Sequence, residues 1–253
     1  MSGKSAYAFN FVPSRGFPSI TSKDAQSSLM QWSMKGRLRC QCFSFDETFK
    51  KHEVKEFATM FFNDSVVRKI LETEEGLPLN DCDVTVSNVP CTLLSMDIFN
   101  RCVGTVTHRT GRIKFCFEEY YESLVITDCL KRALCIRESE FYNLFTRTER
   151  EEFLFRLFKH IVIGGELSQP NEDLGVYTNF VKNLYRDIVS VQKIPGSEEL
   201  KVVSLVYDVR VLSNNHTVYP ASKAHVNTFA YLIVNPIKRH VIALSHVYGV
   251  GQF

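Results

Sequence analysis

Residues 228–251 read TFAYLIVNPIKRHVIALSHVYGVG, and two apolar runs within that stretch decide the fold. Residues 228–234 and 239–247 are each long enough for a strand, and Asn235 and Pro236 between them supply the turn chemistry of a tight hairpin. Both runs carry apolar side chains at odd and even positions, so neither face of the hairpin is reserved for water. Such strands belong to the interior of a sheet covered on both sides. Residues 201–212 predict a further strand, and the absence of alternating strand and helix units around them favours an α+β fold, a mainly antiparallel sheet packed by amphipathic helices.

Upstream of the hairpin lie the helices expected to cover it. Thr148 and Glu151 have capping-box spacing, and Phe153, Leu154, Leu157, Phe158, Ile161 and Val162 give a broad apolar face that Gly164 and Gly165 end. A second amphipathic helix carries Tyr177, Phe180, Val181, Leu184, Tyr185 and Ile188. The N-terminal half reads as a strand at 6–12, a break at 13–18, and a helix capped by Ser22 or Asp24 that runs through Ala25, Ser28, Leu29 and Trp32 toward Gly36. A strand at 38–45 follows, then a helix with Val54, Phe57, Ala58, Phe61 and Phe62 inward, and a short one with Val66, Val67, Ile70 and Leu71. Strands are expected at 83–89 and 113–117 around a helix at 92–101, after an acidic loop at 72–83.

The length of 253 residues suits a single unit, with 1–126 and 127–253 as possible lobes. A content of 45% hydrophobic and 23% charged residues excludes a disordered chain and a coiled coil. Thirty basic against 28 acidic residues leave a formal charge of +2, evenly spread, with no reserve for a nucleic-acid backbone. No membrane partner is expected either, because Asn235, Pro236, Lys238, Arg239 and His240 interrupt the most apolar stretch. Nothing near Met1 resembles a signal peptide, so the eight cysteines read as reduced thiols of a cytoplasmic protein.

Catalytic motifs fail on inspection. Gly3, Lys4 and Ser5 lack the strand and earlier glycine of a phosphate loop, and Gly249 and Gly251 have no following helix to hold a pyrophosphate. Cys40 and Cys42, one residue apart, share a strand face and read as core. Cys91, at an expected helix start, is a nucleophile candidate through the helix dipole, but no base can be assigned to it, and a buried structural thiol is the favoured reading. His225, His240 and His246 are the one set able in principle to hold iron or zinc, although the carboxylate of a facial triad is missing. No catalytic, cofactor-binding or metal residue is therefore assigned.

Several stretches together resemble one family: QWSMKGR at 31–37, NVPCTLLSM at 88–96, EREEFLFRLFKHIVIGG at 149–165, IVSVQK at 188–193, and the hairpin at 228–251. In this order and spacing the sequence resembles the cilia- and flagella-associated protein 300 family over essentially its whole length. The resemblance implies a non-enzymatic factor of motile cilia, without cofactor, that serves assembly of outer and inner dynein arms in the cytoplasm and their delivery to the axoneme. It implies kintoun-type assembly factors, axonemal dynein subunits and the intraflagellar transport machinery as partners. The rival expectations are a structural component of the axoneme and a metalloenzyme built on the three histidines.

The expected chemistry is thus surface recognition. The C-terminal tail, Tyr248, Gly249, Val250, Gly251, Gln252 and Phe253, is the segment expected to bind a partner, with docking onto its own domain as the alternative. Trp32, the only tryptophan, is the second candidate anchor, set against burial on its own helix.

Overall fold

The computed structural model of the chain describes residues 7–71 and 83–252. The acidic loop, except Asp83, lies outside the described residues, as do Gly3, Lys4, Ser5 and Phe253. In chain order the elements are β1 (Phe9–Phe11), α1 (Pro18–Thr21), α2 (Lys23–Gln31), β2 (Leu38–Phe45), α3 (Val54–Asn63), α4 (Ser65–Ile70) and β3 (Asp83–Val89). There follow β4 (Phe115–Tyr121), β5 (Leu124–Asp128), α5 (Cys129–Cys135), α6 (Arg147–Glu151), α7 (Phe153–Ile163) and α8 (Leu174–Ile188). The last are β6 (Val191–Lys193), β7 (Leu200–Val202), β8 (Leu205–Ser213), β9 (His216–Tyr219), β10 (Phe229–Asn235) and β11 (His240–His246). The fold is α+β, and every strand pair is antiparallel.

The expected hairpin is the centre of the main sheet. Its seven strands run β1-β2-β11-β10-β8-β3, with β9 added on β8. The hairpin register pairs Phe229 with His246 and Asn235 with His240, and all seven residues of β10 are buried. Asn235 makes the turn work: its Oδ1 accepts from the amides of Ile237 (3.0 Å) and Lys238 (2.9 Å).

Each face of this sheet has its own core. Even-numbered residues of β2 and β11, such as Leu38, Cys42, Ile242 and Leu244, join Phe229, Tyr231 and Ile233 of β10 under α2, α7 and α8. Odd-numbered neighbours such as Phe43, Phe45, Val241 and Ala243 face Phe57, Phe61 and Phe62 of α3 and Val67 of α4. The expectation that the hairpin strands are covered on both sides, and that α7 and α8 pack on this sheet, is borne out, and both helices lie on the same face. Cys40 and Cys42 point to the same face. Among the described residues no helix is long and apolar enough to cross a membrane.

Four local readings are corrected. The capping box belongs to Thr146 and Glu149, whose side chains each accept the other's backbone amide. The helix it opens is broken at Glu152, where the backbone turns extended before α7 begins. The break has a cause: the Glu152 carboxylate accepts from Thr92 N (3.0 Å) and Thr92 Oγ1 (2.6 Å), while Phe153 N donates to Pro90 O (2.7 Å). That insertion also leaves no helix at 92–96; within the span expected to be helical only a two-turn 3-10 segment, Asp97–Cys102, forms. The strand expected at 113–117 runs to Tyr121 and pairs with β5 in a separate hairpin. The strand expected at 201–212 is two, β7 pairing with β6 and β8 entering the main sheet.

Candidate partner-binding groove

Three of the stretches quoted above converge at one end of the sheet. After α2, Met34 and Lys35 both donate backbone amides to Leu29 O (2.7 and 3.1 Å), and Ser33 takes a left-handed φ of 56°, so residues 32–37 form a tight turn. Against it lies the turn that ends α7: Gly165 N donates to Trp32 O (2.8 Å) and Gln169 N to Gln31 O (2.9 Å). The tail closes over both. Glu166 N donates to Gly249 O (3.0 Å), Gly251 N to Ser33 Oγ (2.9 Å) and Gln252 N to Lys35 O (2.9 Å). The Arg37 guanidinium donates to Val250 O and, at 3.5 Å, to Val247 O. Gly165 is required by close approach, since a Cβ there would stand 2.1 Å from Ser33 O and 2.8 Å from Gly249 O.

The backbone of the tail is therefore docked on its own domain, with Gly249 and Gly251 buried. Its side chains are only partly covered. Val250 is 41% exposed, Gln252 is exposed, and half-buried Tyr248 stacks on His225 with ring centroids 3.4 Å apart. Together with Arg37, Arg39, Lys223 and Glu166 they wall a groove of about 560 Å³, whose floor is the sheet face at Gln41 and Ser245. Gln41 Oε1, shielded from water at that floor, has no hydrogen-bond partner among the described residues. Trp32 takes no part in this surface. It is fully buried, stacked on Tyr177 at 5.0 Å and edge-on to Phe180 at 5.0 Å, so as a partner anchor it is corrected to a core residue.

The three histidines do not form a site. His240 and His246 lie at opposite ends of β11, about 20 Å apart by strand rise, and among the described residues no group of three His, Cys, Asp or Glu stands close enough to hold a metal ion. What exists instead is a buried network that sequence reading missed, centred on fully buried Asn227. Asn227 Nδ2 donates to His160 O (3.0 Å) and Gly164 O (2.7 Å), and Asn227 Oδ1 accepts from His160 Nδ1 (2.6 Å). Tyr231 Oη then donates to His160 Nε2 at 2.9 Å, which fixes a neutral imidazole. His246 Nδ1 donates to Asn227 O (2.6 Å), and Asn227 N donates to His225 Nδ1 (3.0 Å). Burial pushes His160 down to about 3 and His246 to about 4, so both stay uncharged at physiological pH. A lone histidine within the apolar run of α7 was the available signal for His160; Asn227 carried none.

Cys91 has no helix N-terminus behind it. Its Sγ lies 3.3 Å from Tyr185 Oη, and burial pushes the thiol up to about 11, the opposite of an activated nucleophile. Tyr185 Oη donates to Leu93 O (2.9 Å), so residues 88–96 are tied to α8 as well as to Glu152.

The family model for cilia- and flagella-associated protein 300 matches residues 6–246. The chain belongs to that family. A relative from Paramecium tetraurelia described as cilia- and flagella-associated protein 300 is 29% identical over 225 residues, covering 88% of this chain and 86% of its own. One from Chlamydomonas reinhardtii with the same description is 29% identical over 237 residues, covering 88% and 91%. No solved structure matches the chain. The family is associated with cilia and flagella, which gives this chain a ciliary role and location. The matched residues stop at His246, so the tail lies just beyond them.

Proposed function

We propose that the chain is a non-enzymatic adaptor or co-chaperone-like factor, acting in the cytoplasm and the motile cilium, for assembly and delivery of outer and inner axonemal dynein arms. Its partners are kintoun-type assembly factors, axonemal dynein subunits and the intraflagellar transport machinery, and it engages them through the groove walled by Tyr248, Gly249, Val250 and Gln252. The observation that carries the reading is a tail whose backbone is held by the body while Val250 and Gln252 face outward beside Arg39 and Lys223. A rigid wall with exposed side chains binds at low entropic cost. The family supports it through its ciliary association. The reactive side chains support it too, since His160, His246 and Cys91 are held uncharged within the packing.

Quantitative mass spectrometry of what co-purifies with the tagged protein from the cytoplasm of cells building motile cilia tests the proposal. Dynein heavy and intermediate chains with assembly factors, and little tubulin, are expected. Val250→Asp is expected to lower that recovery while leaving the melting curve unchanged. Tubulin and axonemal proteins without assembly factors would place a structural role in the axoneme first.

A further inference from the structure

A second concavity, of about 350 Å³, opens on the α7 side of the sheet, next to the tail groove, with which it shares Pro220. Its lining brings five cations, Arg137, Arg150, Arg156, Lys159 and Arg210, around one carboxylate, Asp208. Arg156 Nη1 stands 3.7 Å from Asp208 Oδ2, and among the described residues the other four cations have no carboxylate within ion-pair distance. Arg156 and Lys159 are three residues apart on α7, a like-charge spacing that weakens a helix. Arg150 is half-buried: its terminal nitrogens donate to Ala133 O (2.8 Å), Leu134 O (3.4 Å) and Tyr142 O, its guanidinium lies 3.7 Å from the Tyr142 ring centre, and its Nε, shielded from water, has no partner among the described residues. Packing uses Arg150 through those carbonyls and rings, Arg156 through Glu151 O and Asp208, and Lys159 over the Tyr121 ring, but among the described residues Arg137 and Arg210 make no ion pair, and concentrating like charge in a partly desolvated hollow costs stability.

We propose that this cleft binds a small polyphosphate, a ligand with a chain of linked phosphates such as a nucleoside triphosphate. Size and charge both select it. The cavity lies within the range of about 300 to 1,000 Å³ typical of small-molecule sites, too small for a folded partner. A triphosphate carries about four negative charges at neutral pH, which matches five cations set against one carboxylate. Four of those cations are guanidiniums, whose forked donors suit phosphate oxygens.

Isothermal titration of the full-length protein with inorganic tripolyphosphate, and in parallel with ATP, tests the site. Saturable one-to-one binding is expected, weakened about 10-fold or more in 0.5 M salt. A triple variant, Arg137→Gln with Lys159→Gln and Arg210→Gln, removes charges that make no ion pair; it should melt like the parent and lose about 10-fold or more in affinity. Asp208→Asn, which removes the one carboxylate lining the cleft among the described residues, should bind several-fold more tightly. Equal affinity for the two probes assigns recognition to the phosphate chain, and ATP binding about 10-fold tighter assigns it to a nucleotide. No saturation at millimolar probe, unchanged affinity in the triple variant, or weaker binding in Asp208→Asn would each overturn the proposal, as would binding confined to a phosphopeptide or to anionic vesicles.

Discussion

On the α3 side of the main sheet, rings pack on rings. Phe57 meets Phe9 (5.4 Å), Phe45 (5.1 Å) and Phe49 (5.0 Å) edge-on, and Phe61 meets Phe9 and Phe43 the same way at 5.2 Å. On the α7 side, an equally buried layer holds His160, Asn227 and His246 among its aliphatic and aromatic neighbours, with Glu152 sealing the kink before α7. The first face is held by area and shape, which tolerate any apolar residue of similar volume. The second depends on directional hydrogen bonds around Asn227 and His160, so it specifies one arrangement and is intolerant of loss, although among the described residues His246 Nε2 has no partner. The tail and the two family stretches that receive it sit on the second kind of ground, where a precise backbone path matters.

Substitutions can break or sharpen that contrast. Phe61→Ala on the ring face should cost about 3 to 5 kcal/mol by chemical denaturation, with the same loss at pH 7 and pH 5. Asn227→Ala on the polar face removes far less volume yet should cost about 3 kcal/mol, because the carbonyls of His160 and Gly164 and the Nδ1 of His160 lose their partner in a buried setting. An Asn227 variant that melts within a degree of the parent would refute the claim that the two faces are held differently.

Protonation separates the faces further. His160 and His246 have folded values near 3 and 4 against about 6.5 when unfolded. The unfolded chain therefore takes up protons that the folded one refuses, so stability is complete above about pH 6.5 and falls as the pH drops toward 4. At pH 5 the loss is about 2 kcal/mol for each histidine. Denaturation midpoints measured from pH 7.5 to 5 should show it, and His160→Gln should flatten the slope while Phe61→Leu leaves it intact. A slope unchanged by His160→Gln would mean that this imidazole is not the buried neutral group described.

The ring face was legible in the sequence because it obeys simple periodicity: Phe57, Ala58, Phe61 and Phe62 repeat at helical spacing, and the strands opposite are β-branched and aromatic. The hairpin was legible for the same reason, with Asn235 marking its turn. What escaped was decided by contacts distant in sequence. Thr146 and Thr148 are each followed three residues later by Glu149 or Glu151, and only the insertion of Pro90 and Thr92 at Glu152 selects the first pair. Cys91 loses its expected helix to that same insertion. Histidines spaced along a hairpin suggested a cluster, yet strand geometry sends His240 and His246 to opposite ends, and the residue that organises the network is Asn227. Of the groove, the tail was visible and its receiver was not, since nothing in QWSMKGR announces that Ser33, Lys35 and Arg37 hold a strand of backbone from the far end of the chain.

The smallest expected effect bears most directly on the groove. Deleting residues 248–253 removes the amide donors of Gly251 and Gln252 and the carbonyls of Gly249 and Val250, but the groups left behind at Ser33, Lys35, Glu166 and Arg37 become open to water instead of staying buried and unpaired. Re-solvation recovers most of each hydrogen bond, so the net loss should be about 1 to 2 kcal/mol, visible as a lowered melting temperature with a cooperative transition retained. Gly165→Ala should act in the same direction through the opposite partner, because its Cβ would press on Ser33 O and Gly249 O. If the tail is both wall and ligand surface, Val250→Asp lowers capture without touching the melt, whereas the deletion and Gly165→Ala lower both. A deletion that leaves the melt unchanged would mean that the tail does not rest on the 32–37 turn in solution, and would return it to the role of a free recognition segment.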